Sequence, residues 1–598
     1  MRFPGRPVDD EETEKVRVFG KPAYWGAFSA LLVAVWLVWP AVVRGAFVGR
    51  ASVDAWGTQW FYDWAGGLIT GETPSFFFSD ALFYPWGKNI YVHTGGNVLD
   101  ALLAWPFRAV AGGVLGYACF VAVLLLCNGA AVGWGARRLG AGRWGAALAG
   151  VLGVCNPFAL HEIQAGRPTQ ALLAFAIVAV CAAFSLWDRW DSRVWAIGAV
   201  SLALTGLTYW FNALFVGVGL VLTLPFALVL PGSMQARRRR VLAVASMLVV
   251  SLILVLPAIW PMVGAWSDGE VPGVLNTSML AGEQWRPVTK EGFTIGLHVL
   301  DLVSGRSGFF VPADDSLSFV PGDVVLPVAT LVLLVIGAIR YRGVLRVPAL
   351  VLMGFGLVLA VGPQWQPLTG PQNVLFVWII DFLPMFDRLW WPVRGLVLFH
   401  CVAAVACAWV VADEDRRITR GLAVSVAGIA MGAQLALVNL APFDTWTTAP
   451  SETYACLGEA SEGAVLELPY GAPEDHVFRQ RQHGRPIFGG MFDDNPVFSP
   501  QEQRAFRQNS VAFKTLEDWA VNAQGPVLLP SALDELQGLG IRYILLDGEA
   551  VSGSSGARGR RLRTLRFTFR EWLGAPVADD GRFVLYAPFG HGSPCGER

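Results

Sequence analysis

Apolar residues in this chain come in long unbroken runs, not in the alternation of half-buried strands or the one-faced stripe of soluble helices. The runs cover residues 23–43, 114–135, 144–157, 169–187, 194–211, 213–230, 241–262, 324–339, 347–361, 395–411 and 421–440. A helix needs about 20 apolar residues to cross the hydrocarbon core of a bilayer. The pattern therefore predicts an α-helical polytopic membrane protein with about eleven transmembrane helices.

Charge at the breaks orients the bundle. The N-terminal tail, residues 1–22, carries Arg2, Arg6, Lys15, Arg17 and Lys21, and the first run lacks a small-residue cleavage site, so it reads as a retained anchor. Alternate short loops then hold Arg137, Arg138 and Arg143; Arg189 and Arg193; Arg237 to Arg240; Arg340, Arg342 and Arg346; and Arg416, Arg417 and Arg420. Basic residues stay on the cytoplasmic side, which puts the N-terminus inside and, with an odd number of spans, the C-terminus outside. The transmembrane domain so defined is 23–441, with outer loops at 44–97, 161–167, 264–323 and 363–394. In the last of these, Asp381, Pro384, Asp387 and Arg388 interrupt an aromatic run, which suits an interfacial or re-entrant helix. From about residue 442 the pattern changes to short β-branched runs, VLELPY, RYILLD and FVLYAP, separated by polar stretches, which predicts an extracytoplasmic α/β domain over 442–598.

Composition agrees with the membrane class: 54% of the 598 residues are hydrophobic and 15% charged, with a mean hydropathy of +0.48. A net charge of −1 offers no basic surface for a nucleic acid partner. Six of the eight cysteines lie in the apolar runs, while Cys456 and Cys595 flank the outer domain; these two form a disulfide in an oxidising compartment or remain free thiols. No P-loop, dinucleotide fingerprint, zinc-protease helix or nucleophile elbow occurs in its proper context.

The candidate chemistry is acidic and lies just outside the membrane. The first outer loop mixes Asp54, Asp63, Glu72, Asp80, Lys88 and His93 with many Trp, Tyr and Phe, a composition suited to the headgroup region. Asp54 is either a helix cap or a group facing a ligand. His161 and Glu162, with Gln164, either end a solvated loop or mark a polar cavity. Arg388 and Arg394 flank Trp390 and Trp391 and serve as interfacial anchors or as phosphate ligands. Segment 476–485 (HVFRQRQHGR) is a solvated charge run or a cover over the site.

In VDAWGTQW (Asp54), NPFALHEIQAGRP (Glu162) and the C-terminal outer domain, the chain resembles the GT-C superfamily of polytopic glycosyltransferases, which use lipid-phosphate-linked sugar donors. DALFYPWGKNIYVHT, RLWWPVRGLVLF, VLELPYG and RQHGRPIFGG are similar to a broad set of bacterial membrane proteins described as GT-C-like. The resemblance implies that Asp54 is the first-loop carboxylate, acting as general base or helping to bind a divalent cation (Mg or Mn), with Glu162 as its second acidic position. In place of the family's paired acidic motif this chain has His161-Glu162, which leaves a metal-free mechanism open.

The implied reaction moves a sugar from a polyprenyl-phosphate donor to a glycan, lipid or protein acceptor at the plasma membrane of a bacterium. It needs a base for the acceptor proton and positive charge for the departing phosphate. Asp54 and Glu162 are the candidates for the first; Arg388, Arg394, Lys88, His93 and Arg167 for the second; and His161, Gln164 and Asp80 as further cavity residues. The competing class is a transporter or flippase of lipid-linked glycans, or a scaffold of the same shape. Repeated halves and helices broken at mid-membrane mark such transporters, and neither stands out in this sequence.

Overall fold

A computed structural model of the chain describes residues 21–73, 75–93, 98–267, 328–340, 345–362, 373–383, 392–410, 428, 441–460, 462–471, 475–491, 499–522, 530–552 and 558–589. The described residues form a multi-pass helical bundle that carries a small α/β domain at its C-terminal end. Among the described residues, six helical stretches are long and apolar enough to cross a membrane: Ala27–Arg44, Leu99–Arg138, Arg143–Gln164, Pro168–Asp188, Trp210–Val229 and Met234–Gly264. Ser192–Thr208, Arg346–Val361 and Leu396–Val410 are shorter apolar helices. The expected span at 421–440 and the outer loop 264–323 fall largely outside the described residues. Large apolar side chains such as Trp39, Leu252 and Ile253 point outward and stay exposed. That is the surface expected of a protein whose solvent is lipid.

Helix α1 (Lys21–Arg44) leads through strand β1 (Phe47–Val48) into α2 (Val53–Thr70). Strands β2 (Phe78–Ser79) and β3 (Lys88–Asn89) pair antiparallel, and α3 (Ile90–His93) follows. Helix α4 (Leu99–Arg138) is kinked at Gly112, where φ is +78°. Its first part is amphipathic in the inverted sense. Leu102, Leu103 and Val110 are exposed, whereas Asp100 and Arg108 are buried against α2. Tyr62 donates to Asp100 at 2.6 Å and Arg108 to Gln59 at 2.5 Å, so the charges go inward because α2 supplies their partners.

The bundle continues as α5 (Arg143–Val154), α6 (Pro157–Gln164), α7 (Pro168–Ala171), α8 (Ala174–Asp188), α9 (Ser192–Thr208), α10 (Trp210–Val229) and α11 (Met234–Ser267). Then come α12 (Val328–Arg340), α13 (Arg346–Val361), α14 (Val374–Phe382) and, after a 3-10 turn at Pro392–Gly395, α15 (Leu396–Cys407). Small residues let the helices touch: a Cβ on Gly153 would lie 2.9 Å from Gly129 Cα, and one on Gly356 would lie 2.8 Å from Gly395 O.

The α/β domain opens with β4 (Thr445–Trp446) and α16 (Glu452–Glu459). Its sheet has the order β5 (Ala464–Leu468), β6 (Ile541–Asp547), β8 (Phe583–Tyr586), β7 (Ala578–Asp579); β5 and β6 are parallel and the remaining pairs antiparallel. All three strands expected from VLELPY, RYILLD and FVLYAP are present. Successive residues point to opposite faces, and both faces are covered. Leu466, Leu468, Ile544 and Leu546 pack with Leu516, Trp519 and Phe569 in one cluster, while Val465, Leu545 and Leu585 join the cluster that runs into the bundle.

Domain and bundle are interlocked. Strand β1 pairs with β4, stacking Phe47 on Trp446 with ring centroids 4.6 Å apart. Phe83 N–H donates to Gly489 O at 2.8 Å, Tyr84 N–H to Ile487 O at 3.0 Å and Ile487 N–H to Ala81 O at 2.9 Å. Helix α17 (His476–His483) lies on α2, where Trp60 donates to Gln480 at 2.7 Å and Asp63 pairs with both Arg108 of α4 and Arg481. Cys456 is disulfide-bonded; its expected partner Cys595 lies outside the described residues. Cys119, Cys127, Cys155, Cys181, Cys401 and Cys407, all in the bundle, are thiols.

Candidate functional site

Two short sequences build the site by capping helices and bringing two backbones together. Ser52 caps α2, its hydroxyl accepting from Ala55 N–H at 3.2 Å. The cap is thus Ser52, and the Asp54 carboxylate is left to face elsewhere. Asn156 caps α6 in the same manner, accepting from Phe158 N–H at 3.0 Å, with Pro157 in the first helical position. After this short helix the chain turns at Gly166, where φ is +81° and a Cβ would lie 2.6 Å from Ala55 N. Thr58 Oγ1 donates to Gly166 O at 2.8 Å and Ser52 Oγ to Ala165 O at 3.2 Å. Glycine is required at this point both by its backbone angle and by the contact with α2.

That contact sets Arg167 between two carboxylates. Its Nε donates to Glu162 Oε2 at 2.5 Å and its Nη1 to Asp54 Oδ2 at 3.0 Å, while Nη2 lies 3.4 Å from His161 Nε2. The Glu162 side chain is 3% exposed, Arg167 14% and Asp54 30%, so the group grades from buried to open. Burial opposes the charge on Arg167. Glu162 and Asp54 outweigh it, and the guanidinium pKa is raised above its ordinary value.

A second cation enters from the far end of the chain. Arg394, in the 3-10 turn before α15, donates to the Tyr209 hydroxyl at 2.8 Å, its guanidinium 5.7 Å from that ring's centroid. Arg394 also acts electrostatically on Glu162, and Tyr209 feels both Glu162 and Arg167. Asp54, His161, Glu162, Arg167 and Arg394 are therefore one group drawn from distant parts of the chain. Tyr209 was missed by the sequence reading because it sits inside an apolar run. Its only local signal is the polar interruption it makes with Asn212 between α9 and α10.

The other expected residues fall elsewhere. Gln164 joins two segments: it donates to the Asp444 carboxylate and accepts from Asp444 N–H at 3.1 Å, while Arg50 pairs with the same carboxylate at 2.9 Å. Lys88 lies on β3 with its ammonium 5.9 Å from the Phe83 ring centroid. Asp80 is exposed, and the backbone of His93 ends α3. Arg388 lies outside the described residues. Segment 476–485 docks on the middle of α2 through Gln480 and Arg481, well beyond Asp54 along that helix.

The donor set can be tested against a divalent cation. Both expected ligands, Asp54 and Glu162, turn to the guanidinium of Arg167, which stands where a shared ion would stand. Among the described residues no group of three or more His, Cys, Asp or Glu is placed to hold a metal. This arrangement does not fit a cation bridging the two carboxylates.

No protein-family model matches the chain, and no curated protein sequence matches it. Its overall path is similar to that of the archaeal oligosaccharyltransferase AglB from Archaeoglobus fulgidus, solved with an inhibitory peptide and a dolichol-phosphate, with a TM-score of 0.49 at 13% identity over 94% of this chain and 74% of that one. It is also similar to ArnT from Cupriavidus metallidurans bound to undecaprenyl phosphate, with a TM-score of 0.45 at 12% identity over 96% of this chain and 98% of that one. For ArnT in the apo state the TM-score is 0.40 at 12% identity and the same coverage. With so few identities, no residue's role passes from those proteins to this one.

Proposed function

We propose that the protein is a membrane glycosyltransferase of the GT-C type, which moves a sugar from a polyprenyl-phosphate-linked donor to a glycan, lipid or protein acceptor. The observation that carries this reading is the joint placement of Asp54, Glu162, Arg167, Tyr209 and Arg394 beside the membrane bundle. A partly exposed carboxylate and an arginine paired with a phenol meet the two needs of the reaction, a proton acceptor and a cradle for a departing phosphate.

In this reading Asp54, the more exposed carboxylate, takes the proton of the acceptor hydroxyl. The acceptor oxygen bonds to the sugar's anomeric carbon, the bond to the phosphate oxygen breaks, and its electron pair leaves on the polyprenyl phosphate. Arg394 and the Tyr209 hydroxyl donate to that phosphate, guanidinium being suited to its oxygens. Glu162, buried and bonded to Nε, acts as a positioning residue for Arg167.

The proposed setting is a bacterial inner membrane with the N-terminus in the cytoplasm and the site outside. The alternation of basic loops supports this orientation. So does the Cys456 disulfide, which belongs in an oxidising compartment, whereas the cysteines of the bundle are thiols.

The test is transfer from a panel of radiolabelled polyprenyl-phosphate sugars by the purified protein, with and without a divalent cation. Asp54→Asn lowers transfer by about 100-fold or more with little change in the melting temperature of the bundle, while Glu162→Gln, which takes the buried partner from Arg167, lowers both. Variants that match the wild type, or a panel with no turnover, would refute the catalytic assignment in favour of a transporter or scaffold.

A further inference from the structure

Each nitrogen of the Arg167 guanidinium faces a different partner: Nε faces Glu162, Nη1 Asp54 and Nη2 His161. The three contacts differ in depth. Glu162 is almost wholly buried and its contact is 2.5 Å, so this pair holds the guanidinium in place. Asp54, 30% exposed and at 3.0 Å, makes the longer and less buried of the two ion pairs, so it is the one an incoming anion displaces first. Arg394, which donates to the Tyr209 hydroxyl at 2.8 Å, acts electrostatically on Glu162, the carboxylate that anchors Arg167.

We infer that Arg167 is a charge clamp on Asp54 that a phosphate group opens. Without donor, Nη1 is bound to Asp54 and keeps this carboxylate occupied. When a phosphate monoester or diester settles against Arg394 and Tyr209, it competes with Asp54 for Nη1, and the carboxylate is released toward the acceptor. The base is thus uncovered only when there is a donor to react with. This inference rests on the function proposed above and adds a regulation of the same site. The fold supplies both features that such a clamp requires: the anchoring carboxylate is buried while the exchanging one is partly exposed, and a second cation able to hold the incoming phosphate acts on the same group.

The clamp predicts an outcome opposite to that of an ordinary binding residue. If Asp54 competes with phosphate for Arg167, removing its charge strengthens phosphate binding even as it removes the base. The experiment measures the affinity of the full-length protein in lipid nanodiscs for polyprenyl phosphate, with inorganic phosphate and the matching polyprenol as separate arms. Asp54→Asn should tighten polyprenyl phosphate binding by about three- to tenfold, the scale of a partly exposed ion pair. Asp54→Glu should restore the wild-type affinity, and Arg167→Gln should cancel the gain in the double variant. Tightening for inorganic phosphate as well assigns the effect to the phosphate group alone; tightening for the lipid only assigns it to the carrier.

An unchanged or weaker affinity in Asp54→Asn overturns the clamp. Asp54→Ser, which also removes the charge but keeps a small polar group, decides the same question should the first variant unfold. A wild-type protein that binds polyprenyl phosphate but shows no gain on charge removal loses the clamp and keeps the proposed function. One that binds no polyprenyl phosphate in any variant loses both.

Discussion

Replacing Gly166 by alanine tests whether the site depends on the close approach of two backbones. Two separable costs follow from the structure. At φ +81° an alanine enters the left-handed region, at about 1–2 kcal/mol. The added Cβ would also lie 2.6 Å from Ala55 N, a backbone atom of the first turn of α2 that cannot swing away as a side-chain tip would. Overpacking of this kind costs about 1–3 kcal/mol more. Gly140 supplies the control, since its φ is +89° and a Cβ there meets nothing within 4 Å, so Gly140→Ala bears the first cost alone. The assay is thermal unfolding in detergent together with polyprenyl phosphate binding and transfer. Gly140→Ala should lower the melting temperature modestly and leave the site intact. Gly166→Ala should lower it further and, by pushing the first turn of α2 and Asp54 with it out of place, reduce transfer by about 100-fold, the scale of an ångström of misplacement. Equal melting temperatures in the two variants, with transfer preserved in Gly166→Ala, would refute the argument that this glycine builds the site.

Two further outcomes test how the C-terminal α/β domain is held. Asp63 pairs with Arg108 and Arg481 at once and is partly exposed, so Asp63→Asn should cost about 1–2 kcal/mol and speed proteolytic release of the domain; an unchanged cleavage rate would show that the strand and backbone contacts suffice. Burial, and then the charge of Arg485, lower the His483 pKa to about 3 from 6.5, while its Nδ1 accepts from Arg485 N–H at 3.0 Å. The unfolded chain therefore binds a proton that the folded domain refuses between those values. Stability is present above pH 6.5 and falls by up to about 1.4 kcal/mol per unit as pH drops toward 3. Melting temperature against pH checks this, and His483→Gln should flatten the slope.

The membrane class was legible in the chain because a bilayer acts on each segment separately: about twenty apolar residues in a row answer to lipid whatever surrounds them. The same holds for the three strands expected in the C-terminal domain, whose β-branched runs are read from neighbours in sequence. Asp54 and Glu162 were singled out because charged residues packed against a bundle of apolar helices usually mark a polar cavity. Gln164 was also singled out, yet its partner turned out to be Asp444, far along the chain, and its role is to join segments.

What the sequence alone determined, then, is what local solvation determines: the apolar spans and the strands. The tertiary structure decided which of these meet. Arg167 reaches Asp54 across 113 positions in the chain and Arg394 reaches Tyr209 across 185. Neither pairing leaves a periodic trace, because a contact closed through the packing of other helices depends on a glycine such as Gly166 permitting the approach. The difference between an open carboxylate and a buried one that only holds its neighbour is likewise a matter of depth, and depth exists only once the chain is folded.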